Sequence, residues 1–102
     1  MGDYVPVSRI EELPAVGGKE VIVKGARICL FRQQNGEVSA TDALCPHKGV
    51  PLAVGCIENG AVICAMHGWE FDLKSGACRN VPGHEVRTYP VRVENGEVSV
   101  AL

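Results

Sequence analysis

Apolar and polar residues alternate with a period of two along the last part of the chain. The alternation runs through residues 89–94, is interrupted by Asn95-Gly96, and resumes through residues 97–102. Successive side chains of a β-strand point to opposite faces, so this pattern predicts two strands that pack on a core from one side. Pro90 has no amide hydrogen and is expected at a strand edge or start. The predicted inward-facing residues are Tyr89, Val91, Val93, Val98, Val100 and Leu102.

The dipeptide Asn-Gly occurs three times, at residues 35–36, 59–60 and 95–96, and apolar runs flank each occurrence. Asn-Gly readily adopts positive φ at both central positions of a type I′ turn, which joins two paired strands. The sequence therefore predicts three β-hairpins. Earlier strands are predicted at residues 20–23, 26–32 and 37–41.

Only residues 8–13 suggest a helical turn. Ser8 is its expected N-cap, with Glu11 at the capping-box position and Pro14 ending the turn. No segment carries a sustained helical period, so the chain is predicted to be all-β, an antiparallel sandwich or barrel. Residues 44–82 have little room for long strands, and we interpret them as an insertion between strands.

Composition narrows the classes of function. The chain has 102 residues, of which 46% are hydrophobic and 22% charged, as in an ordinary globular domain. The formal net charge is −2 and there is no basic run, which argues against nucleic acid as a partner. No apolar stretch reaches the roughly 18 residues of a membrane-spanning helix, and the N-terminus lacks a secretory pattern. We expect one domain over residues 1–102, in the cytoplasm and away from membranes.

Cysteine and histidine form the most informative pattern. The chain has five cysteines, and metal binding explains them better than disulfides in a reducing cytosol. Cys45 and His47 form a Cys-x-His pair, and Cys64 and His67 form a Cys-x2-His pair, with sixteen residues between the two pairs. Glycines lie just after both histidines and allow a loop to approach a metal closely.

Two thiolates and two imidazoles suit two kinds of centre. One is a tetrahedral structural zinc site, and the other is a [2Fe–2S] cluster in which two histidines replace two cysteines on one iron. Zinc fingers usually bring the cysteines as one pair and the histidines as another. Here each stretch supplies one residue of each type, which favours the two-iron cluster because each stretch then reaches both irons.

The two pairs, together with Gly68-Trp69, resemble the Rieske motif, and the similarity continues through residues 69–82 and 86–100. The chain is most similar to the small soluble Rieske ferredoxins that serve bacterial ring-hydroxylating dioxygenases. The resemblance implies the Rieske iron–sulfur fold, an antiparallel β-sandwich with an inserted cluster-binding subdomain at about residues 44–82. It also implies one [2Fe–2S] cluster per chain. Cys45 and Cys64 would hold the buried iron, and His47 and His67 the outer iron.

This resemblance implies a one-electron carrier and not an enzyme, and the sequence offers no nucleophile–base pair or open metal position. The implied electron donor is an NAD(P)H-dependent flavoprotein reductase. The implied acceptor is a terminal, aromatic-ring-hydroxylating oxygenase of aromatic hydrocarbon catabolism, and we expect a monomer. The alternatives are the small Rieske-type subunit of a nitrite reductase and a Cys2His2 zinc-stabilised binding module. A Rieske domain clipped from a large oxygenase is disfavoured.

The other cysteines do not fit the spacings of four-cysteine ferredoxins. Cys29 lies in the middle of a predicted strand and is expected in the core. Cys56 and Cys78 are expected to pack beneath the loops, and a disulfide between them is disfavoured.

Several residues near the motif have expected roles that follow from the resemblance or from their setting. Pro82-Gly83 match the family's third, proline-containing loop, which covers the cluster. Trp69 and Phe71 are expected to pack, with Trp69 also shielding the cluster from water, and His84 and Lys48 are expected to be solvated. The expected docking surface is an apolar rim of Pro46, Val50, Pro51, Met66 and Pro82.

Departures from the high-potential members of the family bear on the redox potential. Those proteins carry an extra cysteine in each cluster loop and a serine after the His-Gly pair, whereas this chain has Val50, Met66 and Trp69 there. Loss of donors to sulfur disfavours the more negative reduced cluster and lowers the potential. Neutral imidazole ligands act in the opposite direction and keep the potential above that of four-cysteine clusters.

We therefore expect a midpoint potential near the low end of the Rieske range, at about −150 mV. A redox titration of the purified protein, followed by visible absorption, measures it. A strongly positive midpoint would contradict this expected low potential.

Overall fold

The computed structural model describes residues 3–46, 49–66 and 68–102, and every structural statement below concerns these residues. They form strands joined by short turns, with two single-turn 3-10 helices at Ile10–Glu12 and Leu52–Val54. The strands are β1 Tyr4–Arg9, β2 Gly17–Val23, β3 Ala26–Arg32, β4 Val38–Asp42, β5 Cys56–Glu58, β6 Ala61–Ile63, β7 Glu70–Asp72, β8 Thr88–Tyr89, β9 Val91–Glu94 and β10 Glu97–Ala101.

The strands pair antiparallel in three sheets, with the orders β1-β10-β9, β2-β3-β4-β8 and β5-β6-β7. The predicted all-β, antiparallel class is confirmed. β4 and β8 are neighbours in one sheet, with Ala40 opposite Tyr89. The small third sheet therefore belongs to a segment that leaves the second sheet after β4 and returns to it at β8. Among the described residues, no helix is long and apolar enough to cross a membrane.

β3 is buried on both faces and borders two hydrophobic cores. Ile28 and Leu30 face the core that lies against the first sheet. Cys29 and Phe31 face the opposite core, which includes residues of the third sheet and of the loops around it. The side-chain period of two thus places alternate residues of one strand in different cores. The buried members of the second core, besides these two, are Ala43, Cys45, Leu52, Val62, Cys64, Phe71, Leu73, Cys78 and Val86.

All three predicted Asn-Gly hairpins are present, and two have the expected turn. Asn59-Gly60 and Asn95-Gly96 have positive φ at both residues, with values of 49° and 75° and of 52° and 78°. A fourth hairpin, between β2 and β3, turns at Lys24-Gly25 with φ of 51° and 83°. This hairpin was not predicted, because the turn lacks an Asn-Gly dipeptide and lysine rarely adopts positive φ.

The turn at Asn35-Gly36 differs from the expected type I′ geometry. Only Gly36 has positive φ, at 88°. The connection between β3 and β4 is five residues long and is closed by the Gln33 N–H, which donates to the Glu37 carbonyl at 2.9 Å. Asn35 instead uses its side chain, whose Oδ1 accepts the Glu37 N–H at 2.9 Å. An Asx turn of this kind is a common alternative role for asparagine.

The N-terminal prediction was wrong in two respects. The strand β1 was not predicted, because Pro6 interrupts its pattern; the strand lies at a sheet edge, with a register shift just after Pro6. The helical turn starts later than expected, since Ser8 belongs to β1 and the N-cap is Arg9. The Arg9 N–H donates to Glu12 Oε1 at 3.0 Å, so Glu12, and not Glu11, closes the turn.

The C-terminal prediction was largely confirmed. Pro90 separates β8 from β9, which belong to different sheets, so it lies at a strand boundary as expected. Val98 and Val100 are fully buried. Val93 is 44% exposed, contrary to expectation, because β9 is an edge strand and the core ends beside it.

Candidate metal centre

Cys45 and Cys64 each begin a loop, and equivalent backbone hydrogen bonds close the two loops. The amide N–H of Cys45 donates to the Val50 carbonyl at 2.8 Å, and that of Cys64 donates to the Trp69 carbonyl at 2.8 Å. In both loops the acceptor lies five residues after the cysteine. We call residues 45–50 the first loop and residues 64–69 the second loop. The shared closure fixes each cysteine at the base of its loop.

Each loop also has a glycine four residues after its cysteine. Gly49 and Gly68 have φ of 69° and 67°, in the left-handed region that side chains with a Cβ disfavour. The Gly49 N–H donates to the Cys45 carbonyl at 2.8 Å. Positive φ at the two glycines therefore lets the chain turn back toward the hydrogen bond that closes each loop.

The two thiols are buried and close to one another. Cys45 is 1% exposed and Cys64 is 2% exposed, and both belong to the core beneath the third sheet. Burial raises the pKa of the Cys64 thiol, and the neighbouring Cys45 side chain raises it further. Two thiolates in an apolar core would be unstable without a bound cation. Sulfur donors suit soft centres such as iron–sulfur clusters and zinc, so this pair fits the sulfur end of the expected cluster.

The sequence-predicted histidine ligands, His47 and His67, lie outside the described residues, as does Lys48. The structure thus brings together the two cysteines of the predicted set of four.

The three other cysteines have different environments. Cys29 is fully buried and Cys78 is buried, as expected for core residues. Cys56 is exposed, so the prediction that it packs beneath the loops was wrong. It begins the edge strand β5, in which the next residue, Ile57, packs against the core and Cys56 points the other way. All three thiols are free, so Cys56 and Cys78 form no disulfide.

A third loop, residues 79–83, runs beside the second. The Cys78 N–H closes it by donating to the His84 carbonyl at 2.9 Å, and the Arg79 N–H donates to the Glu70 carbonyl at 2.7 Å. The side chain of Asn80 then bridges to the second loop. Its Oδ1 accepts the Glu70 N–H at 3.0 Å, and its Nδ2 donates to the Gly68 carbonyl at 2.9 Å.

Sequence reasoning did not identify Asn80. Pro82-Gly83 is the recognisable feature of this segment. A single asparagine before a proline-containing turn does not indicate a long-range contact. Its two partners lie 10 and 12 residues away in sequence.

Aromatic rings lie next to this bridge. The Trp69 and His84 ring centroids are 4.7 Å apart with planes tilted by 58°, and the Trp69 and Phe71 centroids are 6.3 Å apart. Trp69 is half-buried against the core and Phe71 is fully buried, so their predicted packing is confirmed. His84 is exposed, as expected. The shielding of a cluster by Trp69 stays a prediction.

Arg79 attaches the other side of the third loop. Its Nη2 lies 2.6 Å from Asp72 Oδ1, and its Nη1 donates to the Asn59 carbonyl at 2.9 Å. Asp72 also accepts the Lys74 and Ser75 amides, at 3.1 and 2.8 Å. The Arg79 guanidinium, together with these amides, lowers the pKa of Asp72 to about 2.

Comparison with known proteins gives a family match and several relatives. The model of the Rieske [2Fe-2S] domain family matches residues 3–90. The ferredoxin component of the naphthalene 1,2-dioxygenase system of Pseudomonas putida is 34% identical, over 98% of this chain and 93% of that protein. Other curated relatives are much longer proteins, and the chain spans only 19–25% of the length of four of them.

Two solved structures illustrate the structural similarity. The ferredoxin of carbazole 1,9a-dioxygenase from Nocardioides aromaticivorans IC177 has a TM-score of 0.86 at 28% identity, with 96% of each chain covered. A putative NADH-dependent nitrite reductase small subunit from Mycobacterium tuberculosis has a TM-score of 0.92 at 25% identity, covering 100% of this chain and 96% of that one.

The ion pair of Asp72 with Arg79 predicts a pH-dependent stability. Because the pKa of Asp72 is lowered on folding, its contribution is present at neutral pH and is lost as pH falls from about 4 toward 2. At pH 7 the free energy of unfolding of the D72N variant should be about 1 kcal/mol lower than that of wild type. This value allows for the partial exposure of the ion pair, which weakens it. That difference should shrink below pH 4.

Urea unfolding of both proteins between pH 2 and 7, followed by circular dichroism, measures this difference. The matched control is E94Q, which removes the exposed Arg92–Glu94 pair and should change stability little at any pH. A D72N deficit that is equal at pH 7 and pH 2.5 would contradict the assigned role of the carboxylate.

Proposed function

The chain belongs to the Rieske [2Fe–2S] domain family, and from this premise we propose that it is a one-electron carrier between an NAD(P)H-dependent flavoprotein reductase and a terminal oxygenase. Membership of this family implies a [2Fe–2S] cluster. The observation that carries the proposal is the meeting of two buried thiols, Cys45 and Cys64, at the bases of two identically closed loops. Full-length relatives that are ferredoxin components of dioxygenase systems support it.

We propose that four residues hold the cluster. Cys45 and Cys64 would bind one iron, and His47 and His67 would bind the other. When bound, the cluster supplies a one-electron couple at a potential set by its ligands and surroundings. The protein itself would hold the two thiolates in an apolar core and limit the access of water to the cluster.

The proposal assigns no catalytic residue. Two cysteines and two histidines complete the coordination of the two irons, so no position is left open for a substrate. Activation of oxygen and oxidation of the organic substrate would then occur on the partner oxygenase. The protein would act through docking and electron transfer alone.

The loop tips offer an apolar docking surface. Met66 is 46% exposed, Val50 is half-buried, and Pro46, Pro51 and Pro82 are exposed. A transient redox complex needs only a small contact, usually below about 1,200 Å². This apolar rim around the first, second and third loops is the surface that we propose for both partners.

A second candidate is the small subunit of a nitrite reductase. The observation in its favour is the structural match to the putative nitrite reductase small subunit, at a TM-score of 0.92. This candidate predicts stable association with a large sirohaem-containing subunit, whereas the carrier role predicts transient complexes with two partners. Copurification from the native host, followed by haem analysis, separates the two.

The cluster itself is tested by the C45S variant. Wild type, prepared without oxygen, should be red-brown, with about two irons and two acid-labile sulfides per chain and a rhombic electron paramagnetic resonance signal when reduced. C45S should lose this signal. C56S changes an exposed, free thiol and should retain it. A colourless wild type with one zinc per chain would identify the zinc-stabilised module instead.

The docking surface is tested by the M66E variant. A charge at this exposed apolar position should slow electron transfer from the reductase and to the oxygenase by about tenfold, with an unchanged cluster spectrum, because its desolvation opposes docking. V93E is the matched control, since Val93 is equally exposed but lies on β9, outside the three loops. Stopped-flow mixing measures both rates. If M66E reacts as fast as V93E, docking uses another surface.

A further inference from the structure

Asn80 extends the pairing between the third loop and β7 beyond the point where the backbone can continue it. The preceding residues pair through the main chain, by the bridge between Phe71 and Cys78 and by the Arg79 N–H to the Glu70 carbonyl at 2.7 Å. At Asn80 the side-chain amide continues the pairing, because its carbonyl oxygen accepts and its NH2 group donates, as the C=O and N–H of the main chain do. It accepts from the Glu70 N–H and donates to the Gly68 carbonyl.

The amide of Asn80 is fixed from a third direction. The buried Cys78 thiol lies 3.4 Å from the same Oδ1 that accepts the Glu70 N–H. Several hydrogen bonds to one side chain restrict its rotation. Asn80 is an exposed residue whose side chain thus links the third loop to the second.

The position of this link gives it a functional consequence. Gly68 lies between His67, a proposed cluster ligand, and Trp69, whose carbonyl closes the second loop. The two hydrogen bonds of Asn80 therefore hold the returning arm of the loop on both sides of Trp69. The third loop that Asn80 anchors also leads directly to His84, whose ring contacts Trp69.

We infer that Asn80 is a positioning residue for the centre: it fixes the second loop and so controls cluster retention and redox potential. The inference rests on the proposed function, because it requires that the second loop hold the cluster. Residues that orient metal ligands from outside the coordination sphere typically change affinity 10- to 100-fold when replaced. Release of the loop would also admit water, which stabilises the more negatively charged reduced state and raises the potential.

The N80A variant tests this inference. We expect its cluster to be lost to a chelator at least about tenfold faster than in wild type. We also expect a midpoint potential above that of wild type. Both are measured on the purified, cluster-containing protein, by visible absorption and by redox titration.

The matched control is N35A. It also removes an asparagine that accepts a backbone N–H, from Glu37 at 2.9 Å, but in the connection between β3 and β4. We expect its chelation rate and its potential to equal those of wild type. Equal changes in N35A and N80A would reveal a general loss of stability and overturn the inference.

The N80D variant keeps the test decisive if N80A does not fold. Aspartate retains the acceptor for the Glu70 N–H but lacks the donor to the Gly68 carbonyl, so the attachment to β7 stays while the hydrogen bond to the second loop at Gly68 is lost. Its cluster should also be lost at least about tenfold faster than in wild type. Wild-type chelation rates in the Asn80 variants would refute the positioning role.

Failure of the inference and failure of the proposed function give different results. A wild-type protein that carries iron and sulfide, with Asn80 variants that retain the cluster equally well, refutes only the role of Asn80. A wild-type protein without iron and sulfide refutes the proposed function, and the inference with it.

Discussion

The two cysteine amides are the constraint on which the centre depends. The N–H of Cys45 and that of Cys64 each donate at 2.8 Å to a carbonyl five residues further on, so each cysteine closes the loop that it begins. Both thiols are buried in the same core, with exposed fractions of 1% and 2%. Two loops of different sequence thus supply two neighbouring sulfur atoms from equivalent positions. This matched pair of supports suits a [2Fe–2S] cluster, which contains two metal ions.

The platform beneath the loops is stiff because of β3. Its alternate residues, such as Leu30 and Phe31, are fully buried in two different cores, so the strand cannot shift without disturbing both. Phe31 and Phe71, each fully buried, connect this platform to the third sheet. Close-packed interiors resist displacement. A redox centre on such a support is held in nearly one geometry, which suits an electron carrier because each transfer then requires little structural rearrangement.

The sequence predicted those features that arise from local chemistry. Alternation identified the strands around Val98 and Val100, two of the three Asn-Gly dipeptides form the expected turn, and the Cys-His spacing identified the two loops. Features that depend on distant partners were missed. The strand β1 is stabilised by pairing with β10, and this tertiary contact overrides the local effect of Pro6. The exposure of Cys56 follows from which face of β5 meets the core, and a three-residue strand has too short a pattern to indicate that face.

The third loop shows most clearly why such features escape local reasoning. Arg79 and Asn80 are adjacent in the third loop, but their side chains bond to different parts of the structure. Arg79 reaches Asp72 and the turn at Asn59, whereas Asn80 reaches the second loop at Gly68. One stretch of backbone therefore serves two purposes, since its charged side chain ties it to the small third sheet and its amide side chain ties it to the candidate centre. A change at Arg79 should therefore act first on the attachment to the third sheet, and a change at Asn80 first on the attachment to the second loop.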